Sequence, residues 1–167
     1  MEIVDEFLDQ EIFDELQTFL MNNQIPWHYK DSIDYPGEKN GFQFEHLFYN
    51  NIAPCSANFN IVIPTLNMIE PLSIIRIKAN LLTKTPNIIE NTLHCDMEIL
   101  PEQKQKQWTT SILYINTNDG YTKFEDGTKV ESVANRMVSF PAHLKHLGTS
   151  CTNEKTRVVI NFNYFEQ

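Results

Sequence analysis

The chain has 167 residues, 41% of them hydrophobic, and a formal net charge of -9. This size and composition predict one globular domain, 1–167, large enough to bury a core. The acidic charge is spread along the chain without a block of either sign, which argues against a partner held chiefly through phosphate contacts and so disfavours nucleic acid.

The cysteines and the N-terminus bear on the cellular compartment. Cys55, Cys95 and Cys151 are an odd number without zinc-finger or CxxC spacing, so we expect no disulfide framework and a reducing cytoplasm. Acidic residues such as Glu2 and Asp5 interrupt the first apolar residues, which is not typical of a signal peptide. No segment approaches the roughly 20 apolar residues of a membrane-spanning helix. We therefore expect a soluble cytoplasmic protein with no membrane partner.

The first predicted element is an amphipathic helix within Asp5–Met21, because its apolar residues recur at helical spacing, with Asp9 as a candidate N-cap. Aromatic residues mixed with proline and glycine over Trp27–Asn51 predict short strands and turns. A second helical pattern over Ser56–Ile69 has to break or restart at Pro64. The N-terminal part, 1–70, is thus predicted to supply mainly helical support and early strands.

The rest of the chain, 71–167, is rich in short β-type segments bounded by turn residues. The predicted strands are Leu72–Leu82, Thr110–Ile115, Tyr121–Phe124, Asn135–Phe140 and Arg157–Phe165. Two segments between them, Thr83–Asn91 and Pro101–Gln107, are predicted loops, and the second is interpreted as a solvated loop or short helix, or alternatively as a lid. Helices followed by many short strands predict an α+β domain built around a β-barrel or jelly roll.

Three residues are candidate metal ligands and therefore candidate catalytic residues. His94 and Asp96 form a His-X-Asp motif, and His146 follows later. In an extended segment, residues two apart point to one face, so His94 and Asp96 could bind one metal while Cys95 points away as a small buried residue. Two imidazoles and one carboxylate can occupy one face of an octahedral Fe(II), which leaves adjacent positions for a chelating co-substrate and dioxygen. A His-X-Asp motif alone is weak support, because it recurs by chance.

The second histidine ligand requires a choice between His143 and His146. We prefer His146 because its spacing to Arg157 fits a hairpin whose turn lies near Ser150–Lys155. His143 is then a surface residue or a residue just outside the metal ligands.

Four further segments, in this order, carry a family resemblance. The first is Ser111–Asn116, an apolar strand ending in Tyr-aliphatic-Asn, and the second is Asp119–Phe124, which is like a Gly-Gly-X-Thr-X-Phe turn with Asp119 in place of one glycine. The third is Asn135–Pro141, which is like a strand leading to a metal histidine. The fourth is Thr156–Phe165, which is like a closing strand that begins with a basic residue. Together with the His-X-Asp motif they resemble the iron(II)/2-oxoglutarate-dependent oxygenases, specifically the prolyl-4-hydroxylase-like branch, from Leu72 to the C-terminus. The asparagine-rich Asn116–Asn118 and Asn161–Phe165 are similar to small phage-encoded members, which would act in the host cytoplasm.

The resemblance implies a double-stranded β-helix, a jelly roll whose open end holds the iron, with N-terminal helices packed on it. It implies that Arg157 clamps the distal carboxylate of 2-oxoglutarate, where a guanidinium fork matches a carboxylate. Tyr114 matches a position that offers a hydroxyl to the same carboxylate. Asn80 matches an asparagine near the proximal keto-acid end, although the tyrosine expected two positions later is Leu82.

The activity implied is hydroxylation of a C–H bond with conversion of 2-oxoglutarate to succinate and carbon dioxide. Its cofactors would be Fe(II) and 2-oxoglutarate, with ascorbate to keep the iron reduced. A peptidyl proline or another protein side chain is the favoured substrate, while a nucleobase and a small metabolite stay open. Two alternatives stay open as well: a catalytically idle jelly-roll module that binds a metal or ligand, and a histidine-carboxylate metallohydrolase, which needs no keto acid.

Overall fold

We describe residues 1–22, 25–35, 41–96 and 101–166 from a computed structural model. The helices are α1 (Gln10–Met21), α2 (Ile63–Ile69), which directly follows a 3-10 helix (Phe59–Val62), and α3 (Glu102–Gln105). The strands are β1 (Glu2–Val4), β2 (His28–Lys30), β3 (Gln43–Asn50), β4 (Ala53–Pro54), β5 (Ser73–Thr83), β6 (Thr109–Tyr114), β7 (Tyr121–Phe124), β8 (Lys129–Glu131), β9 (Met137–Pro141), β10 (His146–Gly148) and β11 (Thr156–Phe165).

The strands form two antiparallel sheets. The major sheet has eight strands in the order β1-β9-β6-β11-β5-β3-β2, with β4 paired to β3, and the minor sheet has the order β10-β7-β8. A small apolar cluster joins the sheets, with Ile112 and Val159 from the major sheet and Phe124 and Val130 from the minor sheet. This two-sheet arrangement confirms the predicted α+β jelly roll.

The two central strands of the major sheet each have one apolar and one polar face. On β11, Val158, Ile160 and Phe162 belong to the main apolar core. The alternate residues Arg157, Val159 and Asn161 line a cavity between the sheets. Because successive side chains of a strand point to opposite faces, β11 and its neighbour β5 build the core with one face and the site with the other.

The N-terminal helix covers the apolar face of the major sheet. Phe13, Leu16 and Leu20 on one side of α1 are 2%, 1% and 1% exposed and pack in the main core. This confirms the predicted N-terminal helical layer. The predicted N-cap position is confirmed, because the helix begins at Gln10, directly after Asp9. The backbone before it is held by the pairing of β1 with β9 and by the Leu8 amide, which donates to Asn135 Oδ1 at 2.9 Å.

Other predicted elements differ from the structure mainly in their ends. The restart at Pro64 is confirmed, since the 3-10 helix gives way to α2 there. The short strands β1, β8 and β10 were missed, because three residues carry too little alternation to be recognised. Part of the predicted strand and turn region, 36–40, lies outside the described residues. Within Pro101–Gln107 the structure has the short helix α3, and the lid hypothesis stays a prediction. No helix in the described ranges is long and apolar enough to span a membrane.

Candidate metal centre

Three side chains from separate parts of the chain meet at one end of the cavity. His94, Asp96 and His146 each offer a ligand atom, and these atoms all lie within 4.8 Å of one another. His146 begins β10 in the minor sheet, whereas His94 and Asp96 lie in the segment between β5 and β6. The structure thus brings together the three residues that the sequence singled out as metal ligands.

Backbone pairing fixes the two histidines relative to each other. The His94 amide donates to the His146 carbonyl at 3.0 Å, and the His146 amide donates to the His94 carbonyl at 2.9 Å. Their ring centroids are 4.9 Å apart. A reciprocal pair of this kind places both imidazoles on one side of a local antiparallel bridge.

The Nδ1 atom of each histidine faces an oxygen acceptor. His94 Nδ1 lies 3.0 Å from the Thr92 carbonyl oxygen and 3.2 Å from Asp34 Oδ1. His146 Nδ1 lies 3.2 Å from the Leu144 carbonyl oxygen. A proton on each Nδ1 satisfies these acceptors and leaves Nε2 unprotonated as a metal ligand. Burial lowers the pKa of His146, which favours the neutral ring that metal binding requires.

The Asp96 carboxylate is held by three neighbours. Asn163 Nδ2 and Thr110 Oγ1 donate to Oδ2 at 2.8 and 3.3 Å, and Arg76 Nη2 donates to Oδ1 at 3.2 Å. Arg76 Nε also donates to Asn163 Oδ1 at 3.0 Å, so the donors support each other. Burial alone would raise the pKa of Asp96, but the charge of Arg76 and the other groups around the carboxyl hold its pKa well below its ordinary value. Asp96 is therefore an ionised and oriented candidate ligand.

These three partners of Asp96 were missed by sequence reasoning. Arg76 and Asn163 are cross-strand partners on β5 and β11, and each falls on the polar face of its strand. A polar residue at a buried strand position was the available signal, but alternation cannot tell which ligand such a residue contacts.

A second charged group lies in the same cavity. The cavity has a volume of about 470 Å³ and is lined by the three candidate ligands and by Arg157. Arg157 is 3% exposed, and its Nε and Nη2 atoms donate to Ser132 Oγ at 2.8 Å and Thr122 Oγ1 at 3.2 Å. Among the described residues no carboxylate forms an ion pair with it. Burial lowers the pKa of Arg157, but a guanidinium stays charged at neutral pH. The cavity thus contains a buried cation whose charge the described residues leave unbalanced.

Tyr114 packs next to Arg157, and its link to the cavity runs through Thr122. Its side chain is fully buried, and its hydroxyl donates to Thr122 Oγ1 at 2.8 Å. The Arg157 guanidinium carbon lies 5.6 Å from the centroid of the Tyr114 ring. Because Thr122 Oγ1 accepts from both Tyr114 and Arg157, its own O–H remains to donate into the cavity. Thr122 stands in the recognised Gly-X-Thr-X-Phe turn, but its role was not predicted.

Two asparagine side chains line the cavity between its ends. The Oδ1 atoms of Asn80 and Asn161 are buried, and neither has a hydrogen-bond partner in the part of the chain that the structure describes. A buried amide oxygen without a donor is costly. Both residues therefore bring an unsatisfied amide to the cavity wall.

Gly120 leaves the space that Arg157 occupies. A Cβ atom at this position would lie 2.7 Å from Arg157 Cδ and 2.8 Å from the Ser150 carbonyl oxygen. Gly120 is thus required because Arg157 and the Ser150 carbonyl approach it closely. Asp119, which stands in place of the other glycine of the turn pattern, caps the neighbouring loop by accepting from the Thr152 amide at 2.7 Å.

Two predictions about the surroundings of the site were wrong. His146 and Arg157 do not form a hairpin, because β10 pairs with β7 in the minor sheet and β11 pairs with β5 and β6 in the major sheet. Cys95 is only half-buried, not the small buried residue that was expected, and its Sγ donates to the His143 carbonyl at 3.2 Å. His143 itself is not one of the three clustered ligands.

No protein-family model and no curated protein matches this sequence. Solved structures do match: a prolyl hydroxylase from Trichoplax adhaerens, in complex with a hypoxia inducible factor peptide fragment, has a TM-score of 0.68 at 12% identity, covering 99% of this chain and 83% of that one. A prolyl-4-hydroxylase from Pseudomonas putida has a TM-score of 0.61 at 12% identity, covering 99% and 92%. HygX from Streptomyces hygroscopicus, with nickel, 2-oxoglutarate and hygromycin B bound, has a TM-score of 0.63 at 9% identity, covering 99% and 82%. The chain therefore has the fold of the prolyl-4-hydroxylase-like 2-oxoglutarate-Fe(II) oxygenases.

Proposed function

We propose that this protein is an Fe(II)- and 2-oxoglutarate-dependent dioxygenase that hydroxylates a substrate C–H bond. One observation carries the proposal: a single cavity holds a histidine-carboxylate-histidine cluster together with a buried, unbalanced arginine. A metal chelator with a second carboxylate satisfies both features, and 2-oxoglutarate is such a molecule.

The residues present fit the metal. His94 and His146 supply two neutral imidazole nitrogens, and Asp96 supplies a carboxylate oxygen, which is the ligand set of non-haem Fe(II) sites with open positions. The oxygen acceptors at Nδ1 and the donors around Asp96 hold all three groups in place. When bound, Fe(II) and 2-oxoglutarate would activate dioxygen, so that one oxygen atom enters the substrate C–H bond and the other enters succinate, with release of carbon dioxide.

The other end of the cavity fits the distal carboxylate of the co-substrate. Arg157 provides a charged fork for that carboxylate, and Thr122 provides a hydroxyl donor beside it. Tyr114 acts through Thr122, because its hydroxyl is bonded there and so fixes the direction of the Thr122 O–H. Asn80 lines the cavity on β5, where its amide can contact the keto-acid end by presenting either its donor or its acceptor.

A peptide is the favoured substrate. The structure from Trichoplax adhaerens contains a peptide fragment, and the net charge of -9 disfavours a polyphosphate backbone. HygX contains hygromycin B, so a small molecule is the second candidate. The buried Arg157 argues against an idle metal-binding module and against a hydrolase, because neither needs a cation in this position.

The test is an anaerobic titration of the metal-free protein, first with Fe(II) and then with 2-oxoglutarate, observed by visible absorption. We expect the charge-transfer band of an iron-keto-acid chelate, and its loss in His146→Ala. His143→Ala is the matched control, because this nearby histidine is outside the cluster, and it should keep the band. Iron binding without the band would favour a hydrolase or an idle module, and a normal band in His146→Ala would refute the ligand assignment.

A further inference from the structure

The cavity is positively charged although the protein is acidic. The whole chain has 13 Lys and Arg residues against 22 Asp and Glu residues. Among the described residues, the cavity lining reverses this ratio, because it has four cations, Lys30, Arg76, Lys78 and Arg157, and two carboxylates, Asp34 and Asp96. Such a local excess attracts an anionic group into a confined space.

Two of the four cations already have a role in the proposed function. Arg157 faces the co-substrate, and Arg76 is bonded to the metal ligand Asp96. The proposed function assigns no role to Lys30 or Lys78. They lie on β2 and β5 on the same side of the major sheet, since both line the cavity.

Lys78 is a largely buried ammonium with incomplete compensation. Its side chain is 13% exposed, and its Nζ lies 3.3 Å from Oε2 of Glu45, whose side chain is 30% exposed. Burial and the charges of Arg76 and Lys30 all lower the pKa of Lys78, while Glu45 opposes them. The ammonium of Lys30 donates to the Ile33 carbonyl at 3.3 Å. A second anion beside Lys78 would therefore stabilise both lysines.

Asn161 adds a second requirement for the ligand. It is the cross-strand partner of Lys78, it is 9% exposed, and its buried Oδ1 lacks a donor within the described residues. A ligand that suits both residues presents an anionic oxygen to Lys78 and an N–H or O–H to Asn161. An acidic residue within a peptide has both groups, a side-chain carboxylate or phosphate and backbone amides.

We propose that the substrate is a peptide segment with an anionic side chain, and that this side chain binds at Lys78 and Lys30 while the adjacent backbone contacts Asn161. The inference rests on the proposed function in one respect, namely that 2-oxoglutarate occupies the Arg157 end. Glu45 holds the Lys78 ammonium until the substrate arrives, so Glu45 competes with the substrate anion.

The experiment measures binding of blocked tripeptides by NMR, with Zn(II) in place of iron and excess 2-oxoglutarate present. The probes are acetyl-Ala-Glu-Ala-amide, its glutamine counterpart, its phosphoserine counterpart, and adenosine monophosphate. We expect an acidic tripeptide to bind more tightly than the glutamine one by about tenfold or more, since the charge pair is largely desolvated. Preference between glutamate and phosphoserine identifies the anion.

Two variants should act in opposite directions. Lys78→Met should remove the preference for the acidic tripeptide, and Glu45→Gln should strengthen its binding, because the competing carboxylate is gone. The exposed pair Lys145 and Glu125, 3.5 Å apart, gives the matched controls Lys145→Met and Glu125→Gln, which should leave binding unchanged. Tighter binding in Glu45→Gln, opposite to the loss in Lys78→Met, separates a specific effect from general damage to the fold.

Three results would overturn the inference: equal binding of the glutamate and glutamine tripeptides, tighter binding of adenosine monophosphate than of either acidic tripeptide, or loss of 2-oxoglutarate in Lys78→Met. If metal and 2-oxoglutarate do not bind at all, the proposed function fails. The tripeptide titration on the metal-free protein then still decides the role of Lys78. In that case loss of acidic-peptide binding in Lys78→Met but not in Arg157→Met supports the site, and the reverse refutes it.

Discussion

Replacing Arg157 by methionine should separate the stability of the protein from its affinity for 2-oxoglutarate. The variant loses the hydrogen bonds to Ser132 and Thr122, each contributing about 1.5–3 kcal/mol because the donor is charged. It also no longer buries an unbalanced guanidinium, whose desolvation costs on the order of several kcal/mol. These terms nearly cancel, so the unfolding free energy of the metal-free protein should change by less than about 2 kcal/mol.

The effect on the co-substrate should be much larger. Loss of a buried, charge-assisted contact costs about 2–5 kcal/mol of binding free energy, which corresponds to a roughly 30-fold to several-thousand-fold weaker Kd for 2-oxoglutarate. Fe(II) binding should remain, because the hydrogen bonds of His94, Asp96 and His146 in the described part of the chain go to residues other than Arg157.

The assay is equilibrium unfolding in urea, with and without Fe(II) and 2-oxoglutarate under anaerobic conditions. At about 100 times the Kd, a ligand stabilises the folded state by about 2.7 kcal/mol. The parent protein should show this gain when 2-oxoglutarate is added to the iron-loaded form, and Arg157→Met should not. A variant that is strongly destabilised without ligand, yet keeps the full gain, would refute the assignment of Arg157 and make it a structural residue.

Three further changes test separate parts of the site and fold. Gly120→Ala should weaken 2-oxoglutarate binding in the same titration, because the added Cβ displaces Arg157; unchanged affinity would show that the arginine tolerates the shift. Asn163→Leu should lower Fe(II) affinity by roughly 10–100-fold, because Asp96 loses its shortest donor; equal metal affinity would contradict this role. Burial lowers the pKa of His46 below 6.5, so the unfolded chain binds the proton more readily and stability falls as pH drops below about 6.5. In His46→Gln the difference in urea midpoint between pH 7.5 and pH 5.5 should shrink, and an undiminished difference would assign the loss to other groups.

Periodicity predicted the α+β fold class, and the His-X-Asp motif predicted two of the three residues that cluster in the cavity. The His-X-Asp motif needs no knowledge of distant contacts, because His94 and Asp96 are neighbours in the chain. Arg157 and Tyr114 were identified by resemblance, each at a recognisable place on a strand. The long strands β5 and β11 were predicted to within a residue or two, since ten or more residues give a clear alternation.

The remaining features depend on contacts that sequence patterns do not encode. The segment before α1 is held by Asn135, which is 127 positions from its partner Leu8. The error over the His146–Arg157 hairpin has the same origin, because a short spacing cannot tell strands that pair from strands that enter different sheets. Thr122 was part of a recognised turn, but only the structure shows that two donors converge on its oxygen.

The polar face of β11 links both ends of the cavity. Arg157 lies near its start, at the proposed position of the co-substrate carboxylate, and Asn161 lines the middle of the cavity. Asn163 holds the candidate metal ligand Asp96. The other face of the same strand carries the apolar core, including Ile160 and Phe162. A shift of register by one residue would exchange the two faces and remove the core and the site together. The spacing between the candidate metal ligands and Arg157 is therefore maintained by the same packing that stabilises the fold.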